Sequence, residues 1–163
     1  MVNIGSGRQA IKTIFIADDD SDDVDLFKEA LSQIDPRIRI ENLKNGDALL
    51  SLLSNIVPDL LFLDLDMPVK NGLQCLQHIR NTPATSLLPV VVFSSTTRRA
   101  NIHTAYEVGA NLFFIKPQNF KELVGAIEAI LGLDWAQPEL VKKQFCSNGN
   151  CIPFNSLENP AKQ

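Results

Sequence analysis

The stretch Leu60-Leu61-Phe62-Leu63-Asp64-Leu65-Asp66-Met67-Pro68 decides the fold. Four bulky apolar residues in a row, with Pro68 and then Asn71-Gly72 close behind, read as a fully buried strand that stops abruptly. Asp64 stands where the apolar run ends. That is the carboxyl end of the strand, where open α/β sheets place their ligands. An aspartate there is partly desolvated yet open to approach from outside. Taken alone it could equally begin a turn, so the rest of the chain must decide.

Upstream, residues 11–17 are β-branched and apolar and end in Asp18-Asp19-Asp20, which predicts a second buried strand. From Ser21 the period changes. Val24, Leu26, Phe27, Ala30, Leu31 and Ile34 recur at helical spacing, Asp22 and Asp23 suit the positive end of the helix dipole, and Asp35-Pro36 stops the helix. Residues 38–42 alternate Ile38 and Ile40 with Arg39 and Glu41, a short strand. Asn45-Gly46 then leads into a helix carrying Ala48, Leu49, Leu50, Leu52, Leu53 and Ile56.

Downstream, a helix over residues 72–80 places Leu73, Leu76 and Ile79 on one face, and residues 90–93 form a strand ending in Ser94-Ser95-Thr96-Thr97. A helix over 98–108 is closed by Gly109, a strand over 112–115 ends in Lys116-Pro117, and a helix over 119–131 follows. Five strands alternating with five helices predict an α/β fold: a doubly wound, five-stranded parallel sheet with helices on both faces.

The 163 residues carry 45% hydrophobic and 21% charged side chains and a net charge of −4, so one domain can bury an adequate core. The acidic balance argues against direct nucleic-acid binding. No apolar run nears the roughly 20 residues that span a bilayer, and the N-terminus does not resemble a signal peptide, so no membrane contact and a cytoplasmic location are expected. The expected organisation is a flexible leader over 1–10, the domain over 11–133, and a C-terminal tail over 134–163 with no separate effector domain. Trp135, Leu140, Phe145, Ile152 and Phe154 would let part of the tail pack back, and a disordered tail is the alternative. Cys75, Cys146 and Cys151 lack a zinc-ligand pattern and are read as free thiols, with a labile Cys146/Cys151 redox pair as the alternative. His78, His103, Arg98 and Arg99 are read as solvated surface residues.

Four strands thus end in polar side chains: Asp18 and Asp19, Asp64, Ser94, and Lys116. In a parallel sheet these ends share one edge. Three carboxylates together repel unless a cation holds them, and an all-oxygen set suits Mg²⁺ or a similar hard divalent ion such as Mn²⁺. A cation and Lys116 could neutralise a phosphoryl group while Asp64 attacks phosphorus to form an acyl phosphate. The bland alternative is a set of helix caps and a structural ion pair.

In combination these marks resemble the response-regulator receiver domains of two-component signalling, over residues 12–133. The marks are Asp18-Asp19 after Ile14-Phe15-Ile16-Ala17, the Leu63-Asp64-Leu65-Asp66-Met67-Pro68 block with Asn71-Gly72, Ser94 in Val92-Phe93-Ser94-Ser95, and Lys116-Pro117. The resemblance implies a flavodoxin-like strand order 2-1-3-4-5. It makes Asp64 the phosphoacceptor, Asp18 and Asp19 the metal pair together with Asp64 and the backbone carbonyl of Asp66, Ser94 the switch hydroxyl and Lys116 the phosphate contact. It also makes Phe113 the rotating aromatic and places a cis bond before Pro117.

The implied partners are a histidine kinase or histidine phosphotransfer protein as donor and a downstream protein as target. The implied state is a monomer or a phosphorylation-dependent dimer. Only self-phosphorylation and autodephosphorylation are expected, with no further enzyme activity. Asp66 and Thr96 occupy positions that tune acyl-phosphate lifetime in the family. Phe113 lacks the hydroxyl that would anchor its exposed or buried state. The main rival is a haloacid-dehalogenase-like phosphatase using Asp64 and Asp66, which would leave Asp18 and Asp19 without a role. A flavodoxin-like flavin site is disfavoured by the three aspartates after the first strand, which would repel the flavin phosphate.

Overall fold

The computed structural model describes residues 10–154. Five strands, β1 (Thr13–Ala17), β2 (Arg39–Leu43), β3 (Leu60–Leu63), β4 (Val90–Ser94) and β5 (Leu112–Ile115), form one parallel sheet in the order β2-β1-β3-β4-β5. Between them run α1 (Ser21–Ile34), α2 (Gly46–Leu53), α3 (Gly72–Asn81) and α4 (Arg99–Val108), and α5 (Phe120–Leu131) follows β5. Helices α1 and α5 pack together on one side of the sheet, while α3 contacts both α2 and α4 on the other. Among the described residues no helix is long and apolar enough to cross a membrane.

The apolar runs sit where their lack of alternation requires. Every residue of β3 and β4 is buried, whereas β2, at the sheet margin, keeps Arg39 and Glu41 in water. On the α1 side Phe27 meets Phe62 edge-on at 4.7 Å between ring centroids, and Phe93 stacks on Phe114 at 5.1 Å. Helix starts follow their caps. Asp20 accepts from the Asp22 and Asp23 amides, and Asn71 and Gln74 form a reciprocal capping box at α3. Helix α2 ends at Leu53, short of the Ile56 that its pattern suggested. The amides of Asn55 and Ile56 both turn back to the Leu52 carbonyl, and Pro58 forbids continuation.

The tail packs onto the domain. Trp135 is buried and donates its indole N–H to the Ile130 carbonyl, and Pro138 opens a further helix, α6 (Pro138–Phe145). A small hairpin follows, β6 (Cys146–Ser147) and β7 (Asn150–Cys151). Phe154 then pairs in parallel with Phe114, so the sheet gains a one-residue extension beside β5. The Phe154 amide donates to the Phe113 carbonyl at 2.6 Å, and its ring meets Phe114 and Phe145. Tyr106 of α4 completes the seam: its hydroxyl accepts from the Phe113 amide at 3.0 Å and donates to the Ile152 carbonyl at 2.9 Å.

Cys146 and Cys151, expected as free thiols, are joined in a disulfide, while Cys75 is free and buried on α3. The hairpin explains the pairing. Asn148 and Gly149 both take positive φ (52° and 76°), the backbone of a two-residue turn that sets the two cysteines directly opposite each other. The expected leader lies almost entirely outside the described residues, as does the last part of the tail.

Candidate functional site

Backbone register brings the polar strand ends together. The Asp64 amide donates to the Ala17 carbonyl at 2.9 Å, and the Lys116 amide to the Ser94 carbonyl at 2.8 Å, so β1 is locked to β3 and β4 to β5 where their side chains turn outward. Carboxylate oxygens of Asp18, Asp19 and Asp64 lie within 4.8 Å of one another, with Asp18 and Asp64 buried and Asp19 exposed. Lys116 leans over them. Its Nζ donates to Asp18 Oδ2 and to Asp23 Oδ2 at 2.8 Å each, and stands 3.6 Å from Asp64 Oδ2.

The electrostatics follow from burial. Desolvation lifts the Asp64 carboxyl to about 7; Lys116 pulls the other way, and the nearby Asp18 adds to the rise. Burial opposes the charge on Lys116, but hydrogen bonds to Asp18 and Asp23 outweigh it and hold the ammonium above its usual range. Three carboxylates facing one ammonium leave the pocket short of positive charge. That deficit and the all-oxygen donor set fit a hard divalent cation.

Gly72 fits the loop that carries Asp64. A β-carbon on it would collide with the Asp64 carbonyl oxygen and lie 2.8 Å from Leu65 Cα, and its amide donates to the Leu65 carbonyl at 3.0 Å. Between these residues Val69 has φ 70°, with the Lys70 amide bonded to the Pro68 carbonyl at 2.9 Å, a tight three-residue turn in a region that β-branched residues avoid.

Of the expected site residues, the fold gathers Asp18, Asp19, Asp64 and Lys116. Ser94 is buried at the end of β4, where its Oγ accepts from the Thr96 amide at 3.3 Å. The Asp66 amide donates to Asp64 Oδ1 at 3.3 Å, while the residue itself is exposed. Phe113 is buried three residues before Lys116, and its backbone is held by Tyr106 and Phe154. The bond before Pro117 is trans, against the expected cis isomer: no cis peptide occurs among the described residues. Trans is the lower-energy isomer of a prolyl bond, and Lys116 reaches its three carboxylates with it. Asp23 is the site residue the sequence did not disclose. Its place in the first turn of α1 was already explained by the helix dipole, and no local signal pairs it with Lys116.

The family profile described as the response regulator receiver domain matches residues 14–128. Among curated relatives, Response regulator Rcp1 of Synechocystis sp. is 30% identical over 128 residues, which cover 73% of this chain and 86% of Rcp1. The transcriptional regulatory protein CpxR of Escherichia coli strain K12 is 35% identical over 118 residues, 72% of this chain but only 48% of CpxR. The chain therefore spans about half the length of that relative. Among solved structures, the Mn²⁺-bound form of Rcp1 aligns with TM-score 0.67 at 27% identity, covering 73% of this chain and 91% of that one. The phosphorylated cyanobacterial phytochrome response regulator RcpA aligns with TM-score 0.69 at 29% identity, covering 74% and 91%.

Proposed function

Since the chain belongs to the response regulator receiver domain family, we propose that it is a phosphorylation-dependent switch whose phosphoacceptor is Asp64. The observation that carries this reading is the convergence of Asp18, Asp19 and Asp64 under the Lys116 ammonium. The donor is a phosphohistidine on a histidine kinase or phosphotransfer protein. An ionised Asp64 oxygen attacks phosphorus, the N–P bond breaks, and the imidazole leaves with its electron pair and takes up a proton. The product is an acyl phosphate.

Asp18, Asp19 and Asp64, with the Asp66 carbonyl, would hold Mg²⁺ or Mn²⁺. Such an ion, when bound, supplies charge neutralisation for the phosphoryl oxygens. Lys116, 3.6 Å from Asp64 Oδ2, would contribute a second positive charge. The solved form of Rcp1 holds Mn²⁺ and that of RcpA is phosphorylated, which supports the same chemistry here.

The phosphoryl group adds about −1.5 to −2 charges at Asp64. The Ser94 hydroxyl, buried at the next strand end, can turn to donate to it, and Phe113, already buried on the neighbouring strand, would repack in response. Both Phe113 backbone groups are bonded to Tyr106 and Phe154, so a shift there reaches α4 and the tail. A downstream protein reads that change, and no turnover beyond phosphorylation and hydrolysis of the acyl phosphate is involved. The phosphatase alternative would need Asp66 beside Asp64 as acid or base, but Asp66 is exposed and outside the carboxylate cluster.

Incubation with labelled acetyl phosphate and Mg²⁺ tests the proposal. The wild-type chain takes up about one label, and Asp64→Asn takes up none. Label retained on Asp64→Asn at the wild-type level removes Asp64 from the role. Sustained hydrolysis of an aryl phosphate would favour the phosphatase instead.

A further inference from the structure

We propose that Asp23 is a positioning residue that holds the Lys116 ammonium back from Asp64 and so sets how readily a phosphoryl group there can claim it. The inference rests on the function proposed above and adds a residue that neither the motif nor the family match singles out.

An ammonium has three hydrogens to donate. Two of those of Lys116 go to Asp18 and Asp23 at 2.8 Å, while Asp64 lies at 3.6 Å, beyond hydrogen-bond range. The strongest bonds Lys116 makes are therefore to the neighbours of the nucleophile. Helix α1 fixes Asp23 in place, because the Asp20 side chain caps the amides of both Asp22 and Asp23 and aims the first turn at the end of β5.

The two partners of Lys116 differ in what release costs them. Asp18 has a fully buried carboxylate, and its other oxygen is taken by the Asp20 amide. Parting it from Lys116 would leave a buried charge to the cation alone. Asp23 keeps 34% of its side chain in water, so solvent can replace Lys116 there at little cost. When phosphoryl oxygens appear on Asp64, Asp23 is the carboxylate that yields. Until then it competes for the same ammonium, and it belongs to neither the Asp18–Asp19–Asp64 cluster nor the nucleophile.

Asp22 supplies the control. It sits in the same turn, carries the same charge and is exposed, with no ion pair to Lys116. The test titrates beryllofluoride, a phosphoryl mimic, onto the full chain with Mg²⁺ present and compares Asp23→Asn, Asp22→Asn and Asp23→Glu. Asp23→Asn is expected to bind about tenfold more tightly, as the loss of one nearby anion implies. Asp22→Asn stays within about twofold because its charge is screened by water, and Asp23→Glu returns toward wild type. Asp23→Ser, also uncharged, serves in the same way should the amide variant fold poorly. Equal affinities for the two Asn variants, or weaker binding by Asp23→Asn, overturn the role of Asp23. A wild-type chain that binds no beryllofluoride and retains no label from acetyl phosphate overturns the proposed function itself.

Discussion

Lys116 Nζ and Asp64 Oδ2 stand 3.6 Å apart, close enough to interact and too far to bond. Burial therefore still dominates the carboxyl and lifts it to about 7. Its folded-state value is above the unfolded value of about 4, so folding favours the protonated acid. That contribution to stability is fully present below about pH 4 and is lost as pH rises through about 7. In chelator, Asp64→Asn should be more stable than wild type at pH 8 by up to about 4 kcal/mol and nearly equal at pH 4. Urea denaturation across this range measures the difference, and a gap that does not grow with pH contradicts the account.

A divalent cation held at the proposed site should reverse that penalty. Millimolar Mg²⁺ should raise the thermal midpoint of the wild-type chain at pH 8, and less so at pH 6, where protons compete for Asp64. Asp19→Asn removes one exposed carboxylate of the proposed metal site, and it should weaken Mg²⁺ binding by about tenfold while leaving the metal-free midpoint in place. Calorimetric titration distinguishes the two proteins.

Gly72→Ala puts a methyl group against the Asp64 carbonyl oxygen and Leu65 Cα, where backbone rather than a flexible side chain must yield. A loss of about 1–3 kcal/mol is expected. Phosphate uptake should fall as well, because the displaced loop carries Asp64. Normal stability together with normal uptake would mean the loop has more room than its geometry implies.

Val69→Gly acts in the opposite direction. Val69 is 80% exposed and has φ 70°, so little packing is lost and a backbone strain is relieved. Stability should rise by about 1 kcal/mol. A lower denaturation midpoint would show that the turn draws support from the valine side chain.

Phe154→Ala tests the seam along β5. The ring is buried among Phe114 and Phe145, and its loss should cost about 3 kcal/mol, somewhat less where the surrounding segment relaxes. Amide exchange at Phe113, whose N–H is held by the Tyr106 hydroxyl, and at Ile152, whose N–H is held by the Phe145 carbonyl, should quicken together, since Tyr106 also bonds the Ile152 carbonyl. Faster exchange at Ile152 alone would mean that the tail and β5 are not joined.

The parts legible in the sequence are those whose cause is local. The unbroken apolar runs of β3 and β4 could only be buried strands. Asp18, Asp64, Ser94 and Lys116 are readable because Ser94 ends a strand and the other three directly follow one, at carboxyl ends fixed by topology. Asp23 was not, because an acid in the first turn of a helix already has a sufficient reason to be there. The Cys146–Cys151 pairing has a local signal: Asn148-Gly149 between the cysteines is a strong hairpin turn, and it places them face to face. Tyr106 gave no sign of its role, since a helical tyrosine looks alike whether its hydroxyl meets water or a strand.

The family match stops at residue 128, yet the covering of β5 is not complete until Phe154. A fragment cut at the shared boundary would carry a bare aromatic rim and a tyrosine with one bond broken. Clumping or promiscuous capture by such a fragment would be a wound left by the scissors, telling nothing of the companions the intact molecule keeps.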